Sequence, residues 1–203
     1  MRGAISISAM AVVILWASVA AGLVIFQAPP ETWPCGPDAR SVAVGDVNGD
    51  GAPDLIAVNT AYGSYSVLLN DGDGTFGVAQ SFQAFVAGDE EPCDVQLGNF
   101  DGVDGLDLVI PCTGDFDSGW TQIFFNTGIG FDHHQTIGGG DGPWHCLAGQ
   151  FDAYAGQDVV VTYPWSGSLG TLHNDGSGWF YVTLSPGTSH PIQLDKADVD
   201  LDG

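Results

Sequence analysis

The sequence predicts an all-β fold of tandem four-stranded blades, of the type found in β-propellers. The 30 glycines and 11 prolines in a chain of 203 residues favour many turns and short elements over long helices. No segment after residue 30 keeps apolar residues at helical spacing for three turns. Two sequence landmarks also recur in step at intervals of about 50 residues, which is typical of a repeat protein.

The first landmark is an acidic loop between two short apolar strands. It reads VAVGDVNGDGAPDL from Val42 to Leu55, VQLGNFDGVDGLDL from Val95 to Leu108, and CLAGQFDAYAGQDV from Cys146 to Val159. These three segments align without gaps. The same frame returns at Leu194 as LDKADVDLDG, so a fourth copy begins near the end of the sequence.

The second landmark is a short apolar run followed by an asparagine, a glycine-rich turn and an aromatic residue. It reads VLLNDGDGTF from Val67 to Phe76, IFFNTGIGF from Ile123 to Phe131, and TLHNDGSGWF from Thr171 to Phe180. Glycine after asparagine supplies the positive φ angles that tight hairpin turns require. Each copy therefore predicts a β-hairpin.

Together the landmarks define four strands in each repeat. In the first repeat we expect strands at Ser41 to Val44, Asp54 to Val58, Tyr65 to Leu69 and Phe76 to Phe82. A four-stranded antiparallel unit repeated in tandem is the signature of a propeller blade. We therefore expect a lead-in at 29–40, repeats at 41–84, 85–139 and 140–188, and the start of a truncated fourth repeat at 189–203.

Three complete units and part of a fourth amount to a partial propeller, because closed propellers usually need four to eight blades. We expect the remaining blades to belong to a longer parent chain. The isolated units are expected to form an open arc with a bare face at each end. Such an arc should associate or aggregate until further blades cover those faces.

The N-terminal segment 1–28 is expected to export the chain. Arg2 is followed by an uncharged stretch from Gly3 to Phe26, which contains small residues suited to a signal peptidase. The stretch is also long enough, at about 20 residues, to cross a bilayer as an uncleaved anchor. Both alternatives predict a secreted or cell-surface protein, and only the anchor places it on a membrane.

The four cysteines agree with an oxidising compartment, since none lies in a CxxC or Cys/His zinc spacing. Cys93 and Cys112 flank the two strands around the second acidic loop, so folding that hairpin brings them together. We predict a disulfide between Cys93 and Cys112, which leaves Cys35 and Cys146 to pair or to remain free.

The charge balance excludes one class of partner. The chain has 25 aspartates and glutamates against three lysines and arginines, a formal net charge of −22. Nucleic-acid binding requires basic side chains that displace counterions from phosphates. We therefore expect no nucleic-acid partner.

The runs SVAVGDVNGDGAPDLIAV and SVLLNDGDGTF closely resemble the FG-GAP/VCBS repeats of integrin α-subunit-like β-propellers and of bacterial secreted proteins. The resemblance extends over essentially everything after residue 33. It implies a propeller that binds Ca²⁺ in hairpin loops and serves adhesion or ligand binding. It implies no single activity, because such repeats also accompany enzymes as attached domains.

The first acidic loop carries the strongest candidate metal ligands. Asp46, Asn48, Asp50 and Asp54 stand at loop positions one, three, five and nine, and the carbonyl of Ala52 stands at position seven. Alternate oxygen groups that converge on one centre suit a hard cation such as Ca²⁺. The crowded carboxylates repel one another, and a dication would neutralise them. We therefore favour calcium over a metal-free turn here.

The other acidic loops are less complete. The second keeps Asn99, Asp101 and Asp107 at positions one, three and nine but has Val103 at position five and a carboxylate at Asp104, which leaves metal binding open. In the third, Asp152 and Asp158 remain, while Gln150 and Tyr154 occupy positions one and five, so a hydrogen-bonded turn is favoured. The fourth offers Asp198, Asp200 and Asp202 but lacks position nine, and as it stands should not hold an ion.

Large aromatic side chains could stack on sugar rings, but we expect them mostly to fill the core between blades. The residues concerned are Trp120, Trp144, Trp165 and Trp179. The motifs of a nucleophile elbow, a zinc-protease helix, a P-loop and a dinucleotide-binding loop do not occur in the sequence.

Two functions remain. We expect a secreted, non-catalytic, calcium-binding module for adhesion, with an extracellular protein or carbohydrate as its partner. The alternative is the accessory propeller portion of a larger extracellular enzyme, such as a polysaccharide-degrading hydrolase or lyase. A catalytic domain elsewhere in the parent chain would favour the alternative.

Overall fold

The computed structural model describes residues 17–20, 23–26, 31–84, 90–103, 105–114, 119–187 and 189–195. These residues contain fifteen β-strands and no α-helix, which confirms the all-β prediction. The first two strands, β1 (Ala17–Ala20) and β2 (Leu23–Phe26), pair as an antiparallel hairpin. The remainder of the predicted export segment lies outside the described residues. Within the described part of the chain, no helix has the length and apolar character needed to cross a membrane.

The first unit is a four-stranded antiparallel sheet in sequential order. Its strands are β3 (Ala39–Gly45), β4 (Asp54–Asn59), β5 (Ser64–Leu68) and β6 (Gln80–Gln83). A single turn of 3-10 helix at Thr60–Tyr62 joins β4 to β5 and ends at Gly63, whose φ of 56° lies in the left-handed region. The isolated bridge between Asn70 and Phe76 closes the predicted hairpin turn, but the fourth strand itself begins at Gln80 rather than at Phe76 as predicted.

The third unit repeats this sheet, whereas the second has a divided first strand. The third consists of β12 (Cys146–Gly149), β13 (Asp158–Tyr163), β14 (Ser168–Asn174) and β15 (Phe180–Pro186). The second consists of β7 (Glu91–Pro92), β8 (Gln96–Gly98), β9 (Asp107–Thr113), β10 (Gly119–Asn126) and β11 (Phe131–Ile137). Both β7 and β8 pair with β9, so three residues between them leave the ladder.

Neighbouring units pack face to face, and alternation along each second strand decides which unit a residue meets. In β9, Leu108 and Ile110 join the core shared with the first unit, which contains Ile56. Val109, between them, joins the core shared with the third unit, which contains Val161. Every residue of β9 is buried, because both of its faces are covered. Stacked four-stranded sheets of this kind confirm the blade-like architecture.

The rear face of the first unit points away from the second unit. The expectation that this face is bare was wrong. Trp33 and Cys35 from the lead-in segment pack over Leu55 and Leu68. The ring of Trp33 meets Phe76 edge-on, with centroids 5.0 Å apart. The lead-in segment covers this apolar face although it has no strand pattern of its own.

Two further expectations were wrong. Three of the four tryptophans are substantially exposed, with Trp120 at 41%, Trp165 at 40% and Trp179 at 58%. The structure also contains no disulfide among its cysteines, so the predicted Cys93–Cys112 bond is not formed. Cys93 lies in the interruption between β7 and β8, whereas Cys112 pairs with Pro92, so the two are not a directly opposed pair.

Candidate metal centre

Loop one joins β3 to β4 and begins at Asp46. The first glycines of the loop, Gly49 and Gly51, have φ angles of 77° and 88°, a conformation that other residues adopt only with strain. This backbone turns their N–H groups inward. Gly49 donates to Asp46 Oδ1 over 2.7 Å and Gly51 donates to Asp46 Oδ2 over 2.8 Å. These hydrogen bonds, chiefly the one from Gly51, lower the pKa of Asp46, so its carboxylate stays ionised.

Asn48 and Asp50 lie beside each other in the middle of loop one. The Asn48 amide donates to Asp50 Oδ2 over 2.8 Å, and Asp50 Oδ1 accepts from the Ala52 backbone N–H over 2.8 Å. Asn48 Oδ1 accepts from the Asp50 backbone N–H over 3.0 Å. Asn48 and Asp50 are exposed, and the hydrogen-bond donors to Asp46, Asn48 and Asp50 are backbone N–H groups and an amide rather than a positively charged side chain.

Asp54, the last predicted ligand of loop one, is completely buried. Its Oδ2 accepts from the Val47 backbone N–H over 3.0 Å, and its Oδ1 accepts from the Asn70 backbone N–H over 2.8 Å. Asp54 thus joins the acidic loop to the asparagine turn. Each oxygen keeps a further lone pair, so Asp54 can brace the loop and still contribute to a cation site.

The same pair of backbone hydrogen bonds to the aspartate at position nine, called the aspartate brace below, recurs in the other two units. Asp107 accepts from the Phe100 and Asn126 backbone N–H groups over 2.7 and 2.8 Å. Asp158 accepts from the Phe151 and Asn174 backbone N–H groups over 2.9 Å each. This recurrence explains why the two sequence landmarks repeat in step, since position nine of one supplies the acceptor for the asparagine of the other.

Loop two is closed from inside by its own amide. Asn99 Nδ2 donates to the Val103 carbonyl over 2.7 Å, while Asn99 Oδ1 accepts from the Gly102 backbone N–H over 2.8 Å. Asp101 Oδ1 accepts from the Val103 backbone N–H over 2.8 Å. Desolvation by burial raises the pKa of Asp107, which opposes a charged carboxylate there. An amide donor thus points inward where loop one has a carboxylate, and Asp104 lies outside the described residues.

In loop three a side-chain amide again stands where loop one has the carboxylate of Asp46. Gln150 Nε2 donates to the Asp152 carbonyl over 3.2 Å and to the Tyr154 carbonyl. Asp152 Oδ1 accepts from the Tyr154 backbone N–H over 2.8 Å, in agreement with the hydrogen-bonded turn favoured by the sequence. The other carboxylate oxygen of Asp152, Oδ2, lies 2.9 Å from Nδ1 of His173. The loop motif does not include His173.

His173 brings a third ligating group to this loop. Among the described residues, the group of histidine, cysteine and acidic side chains whose ligating atoms all lie within 4.8 Å of one another is Asp152, Asp158 and His173. The carboxylate oxygens of Asp46, Asp50 and Asp54 in loop one do not all lie within 4.8 Å of one another, and the amide of Asn48 is not one of these group types. The available signal was the residue before the turn asparagine, which is leucine or phenylalanine in the other repeats and histidine here.

The predicted ligands of the fourth loop, Asp198, Asp200 and Asp202, lie outside the described residues.

A different polar cluster joins the first strands of the three units. Asp94 accepts from Ser41 Oγ over 2.5 Å and from the Cys146 backbone N–H over 3.0 Å, and lies 3.5 Å from His145 Nε2. The carboxylate lies between serine and imidazole, so this order differs from a nucleophile triad, in which the imidazole contacts the serine.

Residues 39–77 match the family model of the FG-GAP repeat. The match begins with β3 and runs through loop one and the Asn70 turn, so it contains the complete aspartate brace of Asp54. None of the curated proteins compared with the chain matches it.

Proposed function

We propose that this chain is an extracellular, calcium-binding propeller module. In this proposal it binds a protein or carbohydrate and does not itself catalyse a reaction. The match of residues 39–77 to the FG-GAP repeat, within a series of blade-like sheets, supports the proposal. One observation carries the calcium proposal. Loop one collects the carboxylates of Asp46, Asp50 and Asp54 within nine residues, and no described cationic side chain forms an ion pair with them.

The chemistry of loop one suits calcium better than a softer ion. Its candidate ligands are carboxylates, the amide oxygen of Asn48 and the carbonyl of Ala52, all of them oxygen atoms. The backbone hydrogen bonds that lower the pKa of Asp46 keep its negative charge available. A bound Ca²⁺ would also offset the mutual repulsion of carboxylates in a chain with a net charge of −22.

The binding role is supported by exposed aromatic side chains. Trp120 lies against Gly138 and Trp165 lies against Gly142, so both flank the glycine-rich segment between the second and third units. About two fifths of the surface of each of these side chains is accessible to solvent. Aromatic rings with one accessible face serve both sugar stacking and protein recognition.

Calorimetric titration tests the calcium proposal. We expect the wild-type chain to take up Ca²⁺ and Asp50→Ala to bind it more weakly, because the variant removes one carboxylate from the middle of loop one. Asp71→Ala is the matched control, since Asp71 is an exposed aspartate of the neighbouring turn. Absence of Ca²⁺ uptake at the millimolar concentrations that extracellular sites require would overturn the proposal.

Glycan and extracellular-protein binding assays test the recognition role separately. We expect Trp120→Ala and Trp165→Ala to reduce binding of any ligand that the wild-type chain captures, without changing Ca²⁺ uptake. Full retention of ligand binding by both variants would show that these rings do not form the binding surface.

A further inference from the structure

We propose that loop three and strand β14 form a second kind of metal site, selective for a borderline transition-metal ion such as Zn²⁺, with Asp152, Asp158 and His173 as its protein ligands. The three side chains come from two different parts of the third unit. Asp152 and Asp158 belong to the acidic loop, and His173 lies on β14 immediately before the turn asparagine. Their ligating atoms lie within 4.8 Å of one another.

Loop three has lost the features that favour calcium. Gln150 and Tyr154 stand where loop one has Asp46 and Asp50, so two of the carboxylates are gone. The amide of Gln150 donates to two backbone carbonyls of the loop, and its N–H groups present positive rather than negative charge to the loop centre. A hard cation that needs six to eight oxygen ligands therefore finds few there.

The remaining groups suit zinc instead. Imidazole is a preferred ligand of Zn²⁺ and of neighbouring transition metals, and zinc also accepts carboxylate oxygens. Three protein ligands leave a fourth position for water, which is a common arrangement around zinc. The Asp152 and His173 side chains are about one fifth exposed, so an ion can reach them from solvent, while the buried Asp158 forms the floor.

The surroundings of His173 orient its ring for this role. Its second nitrogen, Nε2, lies 2.9 Å from the Thr183 hydroxyl on β15. In the tautomer whose Nε2–H donates a hydrogen bond to the Thr183 hydroxyl, the lone pair of Nδ1 points toward Asp152. Tyr181 stacks on the ring at 5.0 Å with an angle of 21°, which holds its plane. Partners of this kind, which fix the tautomer and the ring orientation, characteristically accompany histidine ligands of metals.

The equivalent positions in the other units show that a histidine is not required by the fold. Leu69 and Phe125 occupy them, and both pack against the cores between units. Leucine at this position is therefore compatible with the blade. His173→Leu removes the metal ligand while it restores the residue of the first unit, and so provides a conservative test.

Zinc titration by calorimetry, performed with excess Ca²⁺ to occupy any calcium site, tests the proposal on the whole chain. We expect one equivalent of Zn²⁺ to bind, and binding to weaken more than about tenfold in both His173→Leu and Asp152→Asn. The exposed His190 lies outside the cluster, and His190→Gln is the control that should bind like wild type. Thermal unfolding in a chelator establishes that each variant is folded.

Substitution of Co²⁺ for Zn²⁺ gives a readout that a structural role of His173 would not produce. A visible absorption band with the intensity of a four-coordinate ion is expected in wild type and absent in His173→Leu. Equal zinc affinity in wild type and His173→Leu would overturn the proposal, as would no uptake by wild type. The latter result would leave His173 as a hydrogen-bond partner of Asp152. Either outcome is independent of the Ca²⁺ uptake measured with Asp50→Ala.

Discussion

The side-chain amide of Asn126 in the second unit donates a hydrogen bond over 2.7 Å to the backbone carbonyl of Val47 in loop one of the first unit. Asn174 makes the same contact with Phe100 one unit further along, again over 2.7 Å. The turn asparagines of the second and third units therefore link loop one and loop two to the following unit. A cation bound in loop one would be held by a loop that the second unit also supports.

Asn126→Ala is expected to destabilise the chain more than Asn70→Ala. Both residues accept a turn hydrogen bond, from Gly128 and Gly72 respectively, and both donate to a carbonyl of their own unit; Asn70 also accepts a longer bond of 3.3 Å from the Gly74 N–H. Only Asn126 also reaches another unit, so its additional cost should be about 1 to 2 kcal/mol. Urea denaturation of the two variants measures the difference. Equal losses would show that the contact with Val47 contributes nothing to stability.

Asp54→Ala is expected to be destabilising even without metal. The substitution leaves the Val47 and Asn70 backbone N–H groups without their acceptor in a buried site, at a cost of about 3 kcal/mol or more. Asp50→Ala should cost less than Asp54→Ala in a chelator, because the hydrogen bonds that Asp50 accepts are exposed to water, and its loss of stability should increase when Ca²⁺ is present. Denaturation in a chelator and in Ca²⁺ separates the two effects. A chelated Asp54→Ala as stable as wild type would contradict the bracing role.

Acid should weaken the first loop through Asp46. The pKa of this carboxylate is lowered in the folded state from its ordinary value of 3.8. A lowered folded-state pKa contributes stability that is fully present above the unfolded pKa and is lost as pH falls through the folded value. Asp46→Asn should therefore show a smaller loss of stability below a pH of about 4. Acid titration of unfolding in a chelator checks this, and identical acid dependence in wild type and variant would refute it.

The cysteines should be unreactive in the native chain and all available after unfolding. Burial raises the pKa of Cys93 to about 11 and raises those of Cys112 and Cys146 well above the ordinary value. Because the thiolate is the reactive form, alkylation of these three at neutral pH should be more than about a hundredfold slower than in denaturant. Mass spectrometry of alkylated peptides measures both rates. A Cys93–Cys112 peptide pair that resists alkylation in denaturant would restore the disulfide that the sequence suggested.

The sequence by itself determined the repeat, the second and third strands of the first unit, and the glycine turns of loop one. These features are local: apolar alternation defines each strand, and glycine at Gly49 and Gly51 permits the positive φ angles of the loop. The sequence also shows that the acidic loop and the asparagine turn recur together in each repeat. The cause of this joint recurrence, the hydrogen bond from the Asn70 backbone to Asp54, lies within one unit and follows from the register of β4 with β5.

Only the tertiary structure decided the contacts that cross between elements or units. His173 meets Asp152 because β14 runs beside the acidic loop. Their separation of 21 residues in the sequence does not predict this contact. Asn126 reaches Val47 across 79 residues because the second sheet stacks on the first. Trp33 covers an apolar sheet face while Trp179 remains exposed, since burial depends on which surface lies nearby rather than on residue type. Sheet register and the stacking of units are collective properties of the folded chain, and they decided which of the polar side chains meet.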